Sequence, residues 1–287
     1  MISLPTQVLE LSGTDAAAFA HAQFCNDVLG LPDEHWQWNA WLSAQGRVRA
    51  LFLLLRMNAA NLRLILRGDG ADYLRAELAR YTFRAQVQLR VANEARLGAT
   101  DAAAEITAAA GTLPGASVIV SRAGIVALTL PGDPPRWLAL DHDKTSASDA
   151  APLERWRLAD IRAGLPEIGA ELRERLLPQW LGLDRLRAVS VRKGCYPGQE
   201  IMARLHFKGG NKRSLYRLRW PGQAIHPPAT ILRGPDGAEA GVIVMCARDV
   251  ERGCVEALAS LSGETVPAVL ETESAQDGAI AVVECFA

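Results

Sequence analysis

Lysine, methionine and aromatic residues are scarce in this 287-residue chain, with four Lys, four Met and 6% Phe, Trp and Tyr. Neither sign of charge is in excess, since 31 basic residues stand against 32 acidic ones for a formal net charge of -1. That balance excludes a chain that is basic throughout, but it leaves room for a local patch. Long apolar runs are missing too. The most apolar stretch, residues 50–55, lies between Arg49 and Arg56 and is far short of the about 20 residues that span a bilayer. Residues 1–7 show no basic segment leading into an apolar one, so no secretory signal is expected. The five cysteines, Cys25, Cys195, Cys246, Cys254 and Cys285, are odd in number and include no CxxC pair. Neither a disulfide scaffold nor a zinc ribbon is indicated, and the reading is a cytoplasmic chain with reduced thiols and no membrane partner. The sequence also lacks a GxxxxGK[ST] phosphate loop, an HExxH helix and a GxSxG elbow. His21, His35, His142, His206 and His226 are scattered, so no metal site is expected.

What is present describes a globular protein of more than one domain, with 49% hydrophobic and 22% charged residues over a length beyond one compact core. Thr14-Asp15 offers an N-cap for a helix running through Phe19 to Val28, ahead of Gly30 and Pro32. Trp36, Trp38 and Ala40 alternate as a strand. Residues 47–57 and 62–66 flank the turn Asn58-Ala59-Ala60-Asn61 as a hairpin. A helix through Tyr73, Leu74, Leu78 and Tyr81, then a strand at Val87, Leu89 and Val91, complete a unit of the α+β class. Residues 101–113 read equally as a surface helix or a loop. Strands follow at 118–120, 125–130 and 137–140, then a polar linker over 141–152 and a helix over 153–163. From Ser214 onward, short strand-like runs separated by Pro/Gly turns predict a small all-β barrel or sandwich, including one run at 266–270. The domain boundary falls near Lys212, giving an α+β region over 1–212 and a β domain over 213–287.

Charge is unevenly placed. Arg185, Arg187, Arg192, Lys193, Arg204, Lys208, Lys212, Arg213, Arg217 and Arg219 face one acid, Glu200, so residues 185–219 carry +9 and the other 252 carry -10. If these side chains share a face they make a positive patch; the plainer alternative is a solvated Arg-rich surface in a chain with 27 Arg. Within the segment lies Arg192-Lys193-Gly194-Cys195-Tyr196-Pro197-Gly198-Gln199-Glu200. Two glycines and a proline make a tight turn with open amides, leading into a helix through Ile201, Met202 and Leu205. A cysteine there, beside Lys193 and near a helix N-terminus, is expected to have a lowered pKa and thiolate character suited to nucleophilic, redox or ligand chemistry. The alternative for Cys195 is a small buried hydrophobe, the reading that suits the other four cysteines. Trp156, on the helix after Pro152, is either core or a stacking platform.

The octapeptide Lys193-Gly194-Cys195-Tyr196-Pro197-Gly198-Gln199-Glu200, continued by Ala203-Arg204, Gly209 and Asn211-Lys212-Arg213, closely resembles the signature of the YgfZ family. These are folate-binding, T-protein-like proteins of iron-sulfur protein maintenance and tRNA modification. Leu11-Ser12-Gly13, Asn26-Asp27-Val28, Gly164-Leu165-Pro166 and Leu177-Pro178-Gln179 resemble other segments of the family, so the likeness covers most of the chain. It implies two interleaved α+β units over 1–212, then a C-terminal antiparallel β-barrel over 213–287, around a central channel. It further implies tetrahydrofolate as cofactor and Cys195 as the functional thiol, with Lys193 activating it. Folate contacts are implied at Trp156, Tyr196, Gln199, Glu200, Asn26 and Arg162. Iron-sulfur proteins, and tRNA or tRNA-modifying enzymes, are the implied partners.

The related aminomethyltransferase (T-protein) of glycine cleavage carries an acidic pair where this chain has Gly46-Arg47-Val48-Arg49, and a pterin-holding Glu where this chain has Arg162. Guanidinium donates only and stays cationic, so it cannot replace a carboxylate that orients a folate nitrogen. Aminomethyl transfer by that pattern is therefore not expected, and whether the protein is an enzyme stays open. Three readings remain: a folate-binding maintenance protein, a folate-dependent one-carbon transferase, and a tRNA-binding module using residues 185–219. A single cysteine is too few for an iron-sulfur cluster, which takes about four ligands, so a cluster role needs a partner or an external thiol.

Overall fold

The computed structural model describes the chain except residues 6, 113, 116, 142–149, 211, 264–268, 273–278 and 287. Most of the polar linker, part of the strand expected at 266–270 and Asn211 of the signature therefore lie outside the described residues. Up to residue 100 the elements are β1 (Ile2–Leu4), β2 (Val8–Ser12), α1 (Ala16–Gln23), β3 (His35–Leu42), β4 (Val48–Asn58), β5 (Asn61–Leu66), α2 (Ala71–Ala79), β6 (Gln88–Val91) and β7 (Leu97–Thr100). Then come α3 (Ala103–Ala110), β8 (Val120–Arg122), β9 (Ile125–Leu130), β10 (Arg136–Leu140), α4 (Ala150–Arg162) and α5 (Gln199–Lys208). The last strands are β11 (Arg213–Pro221), β12 (Ile231–Arg233), β13 (Glu239–Asp249), β14 (Cys254–Ser262), β15 (Val269–Leu270) and β16 (Ile280–Phe286). The fold is α+β. Among the described residues no helix is long and apolar enough to cross a membrane.

Three antiparallel sheets form, ordered β3-β4-β5-β2-β6, β1-β7-β10-β9-β8 and β12-β13-β14-β11-β16-β15. The first strand of the chain pairs with β7 rather than with its neighbour β2, so the first two sheets are interleaved in sequence. The apolar run in β4 is explained by burial on both faces. Ala50, Phe52 and Leu54 enter the core beneath α1 and α2, while Leu51, Leu53 and Leu55 enter the larger central core, as the two-residue repeat of a strand requires. Of the stretch 101–113, Ala103–Ala110 forms helix α3, whose Ile106 and Ala110 pack on Trp137. The helix expected to reach Val28 stops at Gln23 instead. Phe24 turns extended and bridges Trp41, and the Cys25 amide donates to Ala40 at 3.0 Å. Pairing with β3 thus prevails over helix propagation.

The C-terminal sheet contains no helix among its described residues. Its two edges meet at a bridge between Arg233 and Glu271, with backbone bonds of 2.9 and 3.0 Å, but among the described residues no ladder joins β12 to β15, so the sheet is not closed into the expected barrel there. Helix α4 lies between this sheet and the other two, and its Asp160 is fully buried. Asp160 pairs with Arg67, just after β5, at 2.7 Å and with Arg136 of β10 at 2.8 Å. Arg67 also lies 3.5 Å from Glu167. The Arg136 guanidinium stacks 4.6 Å from the Trp156 ring centre.

Removing one member of a buried ion network leaves an uncompensated charge, at a cost of about 3–5 kcal/mol. Asp160→Ala is accordingly expected to lower the unfolding free energy in urea by about that amount. A loss below roughly 1 kcal/mol, the range of surface pairs, would show that the network does not tie α4 to the two sheets.

Candidate functional site

The signature turn is built outward from Ser190. The Ser190 amide donates to the Cys25 carbonyl at 2.9 Å, and its Oγ accepts from the amides of Arg192 and Lys193 at 3.3 and 3.2 Å. Lys193 is buried. Its ammonium donates to the carbonyl of Phe24 at 2.5 Å and to that of His21, at the C-terminal end of α1, where the helix dipole favours a cation. Tyr196 is also buried, its ring 4.8 Å from Lys193 Nζ and its hydroxyl donating to Ser190 O at 3.4 Å. Held on these sides, the turn leaves Cys195 exposed, and nothing lies within 4 Å of where a Gly194 side chain would begin.

Gly198 fixes the other end. Its φ is +82°, and a Cβ there would come 2.5 Å from Ser43 O and 2.7 Å from Gly46 Cα, so only glycine lets α5 start across the β3–β4 turn. Met202, on the inner side of α5, is buried in the central core, while Gln199 is half-buried and Glu200 is exposed. Asn26 braces the approach to the turn, donating to Trp38 O at 2.9 Å and to Arg187 O at 2.8 Å.

The expected activation of Cys195 by Lys193 does not match this arrangement. The ammonium is committed to α1 carbonyls inside the protein, whereas the thiol faces solvent. Lys193 is thereby placed to hold the turn. Burial pulls the Lys193 pKa down to about 8, partly opposed by Cys25 and Asp27, and burial pushes the neighbouring Cys25 thiol up to about 12. Burial also raises the Tyr196 hydroxyl and lowers His21, the latter assisted by the Lys193 charge.

A separate cavity of about 350 Å³ opens beside α4. Leu53, Ile65, Leu97, Leu138 and Trp156 give it apolar walls, and Gln7, Arg67, Asp69, Arg157 and Glu167 give it polar ones. Among the side chains expected to hold folate, only Trp156 lines it. Tyr196, Gln199, Glu200 and Asn26 belong to the signature turn and its supports. Arg162 instead donates to Glu256 at 2.9 Å and Asp249 at 2.5 Å, locking α4 to the C-terminal sheet. Glu256, fully buried, also lies within 3.3 Å of Arg219, 3.7 Å of Arg217 and 3.8 Å of Arg252. Arg67, Asp69 and Glu167 were not singled out from the sequence. The signals available were the Arg67-Gly68-Asp69-Gly70 turn after β5 and a carboxylate directly following Gly164-Leu165-Pro166.

Nor do the ten cations of residues 185–219 form one patch. Arg217 and Arg219 reach Glu256, Arg213 pairs with Glu239 at 3.0 Å, and Arg185 donates to the carbonyls of Ala163 and Gly164. Arg187, Arg192, Arg204, Lys208 and Lys212 are exposed and make no ion pair among the described residues. Among those residues, no group of three or more His, Cys, Asp or Glu side chains is arranged as a metal site.

Two measurements check this arrangement. Between pH about 8 and its ordinary value of 10.5, Lys193 has lost in the fold a proton that the unfolded chain keeps, so its contribution makes stability rise with pH. Cys25 does the reverse between 9.0 and about 12, keeping in the fold a proton that the unfolded chain has lost, so stability falls with pH. From these two groups, unfolding free energy should climb from pH 8 to 9, level off to 10.5 where their slopes cancel, and then turn down; Lys193→Met removes the climb, and Cys25→Ala lets it continue to 10.5 and weakens the descent. In alkylation, Cys195 should react first of the five thiols, ahead of Cys285, the other exposed one, which bonds the Tyr216 hydroxyl. Lys193→Met should leave the pH midpoint of that reaction unchanged, and a clear upward shift would restore Lys193 as the activator.

A scan against protein-family models finds no match. A protein of Vibrio vulnificus named tRNA-modifying protein YgfZ is 31% identical over 219 residues, covering 74% of this chain and 67% of that protein. Its namesake from Sodalis glossinidius is 27% identical across 98% of this chain and 91% of its own length. Among solved structures, the glycine cleavage system aminomethyltransferase T from Bartonella henselae superposes with a TM-score of 0.67 at 16% identity, covering 97% of this chain and 83% of that one. That last likeness establishes the T-protein-like fold, with interleaved sheets ahead of a C-terminal one. Together with the KGCYPGQE turn, the identity to the named relatives is sufficient to conclude that this chain belongs to the YgfZ family.

Proposed function

We propose that this protein binds tetrahydrofolate in the cavity against Trp156, and that it supports iron-sulfur protein upkeep and tRNA modification through Cys195. The observation that carries the folate reading is the cavity itself, of a size that takes a small molecule and with one polar and one apolar side. Its residues suit the ligand. Glu167 and Asp69 are acceptors for the paired N–H groups of a 2-amino-4-oxopterin ring, Trp156 and the leucines face the flat rings, and Arg157 suits the carboxylate tail. Arg67 Nε is a buried donor without a protein partner, available for a ring oxygen. Bound tetrahydrofolate supplies nitrogens that carry one-carbon units.

Transfer on the T-protein pattern is disfavoured, because the three arginines standing in for its carboxylates are committed elsewhere. Arg47 lies over Trp180 and donates to Arg175 O at 2.5 Å, Arg49 pairs with Glu174 at 2.7 Å, and Arg162 holds Glu256. Cys195 stands outside the cavity wall and open to solvent. That position suits a thiol that meets a partner macromolecule, which contributes the remaining ligands if a cluster is handled. The tRNA part of the reading rests on the names of the relatives.

Titration with tetrahydrofolate should quench tryptophan fluorescence. Glu167→Gln should weaken binding roughly 10-fold, the loss of a charged hydrogen bond, and lower stability less than Asp160→Ala does, because Glu167 is partly exposed and Arg67 keeps Asp160 as its nearer partner. Trp156→Ala should also weaken binding, but it removes core packing as well and lowers stability by about 3–5 kcal/mol. Parental affinity in both Glu167→Gln and Trp156→Phe would remove the folate from this cavity. Cys195→Ala should fold normally yet fail to support iron-sulfur enzyme activity in cells; full support would assign the thiol no role.

A further inference from the structure

We propose that the outer face of α5 is a docking surface for an unpaired RNA strand, with Phe207 as the base-stacking platform and Arg204 and Lys208 as phosphate-binding cations. The inference deepens the tRNA part of the reading above, and folate binding is independent of it. Helical spacing puts Arg204, Phe207 and Lys208 on one face, at i, i+3 and i+4. Phe207 is 73% exposed. Its ring is met at right angles by His206, 4.9 Å between centroids, so the ring is oriented by a neighbour without being covered.

A lone exposed aromatic signifies little. Here it shares a helix face with two cations, Arg204 and Lys208, that have no carboxylate partner among the described residues, while most other cations of the same segment are committed to Glu239, Glu256 or carbonyl groups. On α5 the acid of the same face is Glu200, one turn before Arg204 at the far end of the helix. Beyond Lys208, a side chain at Gly209 or Gly210 would meet nothing within 4 Å, so the approach is sterically open.

Aromatic stacking with flanking positive charge is the chemistry by which proteins hold single-stranded nucleic acid, because every unpaired base offers a flat face. In a duplex those faces are stacked on one another and closed to Phe207. A strand lying along α5 would run toward Cys195, since ten residues of helix cover about 15 Å. The surface would thereby bring RNA to the exposed thiol.

The test uses the intact protein and fluorescence anisotropy with a labelled oligouridine, the same length of duplex RNA as control, and tetrahydrofolate titration in parallel. Phe207→Ala should weaken oligouridine binding roughly 10-fold, with an unchanged salt slope, and Phe207→Trp should restore it. Arg204→Gln with Lys208→Gln should weaken binding and flatten the slope of log affinity against log salt by about 0.7 for each phosphate no longer neutralised. Folate affinity should be the same in all variants. Parental oligouridine affinity in Phe207→Ala, duplex binding as tight as single-strand binding, or no RNA binding by the parent would each overturn the inference while leaving the folate site standing. Expected RNA behaviour in a protein that binds no folate would uphold this surface and overturn the cavity assignment.

Discussion

The buried carboxylate of Asp160 is the joint on which the three sheets depend. It lies on α4, and its two guanidinium partners come from different sheets, Arg67 from the end of β5 and Arg136 from β10. A carboxylate with no solvent exposure is tolerated only when both oxygens are matched, so the pairing fixes where α4 can lie. Two consequences follow from that position. Trp156, one turn earlier, is pressed between Arg136 and the cavity. At the end of the same helix, Arg162 reaches Glu256 and Asp249 and holds the third sheet in place.

The candidate thiol is presented by a second, smaller set of constraints. Lys193 inserts into the end of α1, Tyr196 packs over it, and Gly198 crosses Gly46 at a distance that excludes any side chain. Most of the octapeptide is therefore spent on holding the turn, which is what leaves its cysteine standing clear. Thiol and cavity are separated in this arrangement, and each has its own surroundings. A division of labour suits a protein that meets a macromolecular partner at one face while keeping a small molecule at another.

The three arginines that set this sequence apart from the expected T-protein pattern are structural cations here. Arg47, Arg49 and Arg162 each have a partner within the fold: a tryptophan ring, a glutamate on a neighbouring loop, and two carboxylates of the C-terminal sheet. Half of the ten cations over residues 185–219 are paired with carboxylates or donate to carbonyls, and the other five are exposed on α5, at Lys212, and beside the turn at Arg187 and Arg192.

Local pattern by itself determined the elements and the family. Alternation in Trp36, Trp38 and Ala40, the Asn58–Asn61 hairpin turn and the Pro/Gly-punctuated strands after Ser214 follow from backbone preferences that act over a few residues. KGCYPGQE is likewise local, because a turn with two glycines dictates its own shape. Tertiary structure alone decided what those residues touch. It ended α1 at Gln23, because β3 offered Phe24 and Cys25 strand partners more than ten residues away. It sent the Lys193 charge into α1 instead of toward Cys195, and it brought Arg67 to Asp160 and Glu167 from a distant part of the chain, with Arg67 and Glu167 lining one cavity. Sequence spacing cannot announce such meetings, since a buried charge is fixed by whichever opposite charge the packed sheets bring within about 3 Å.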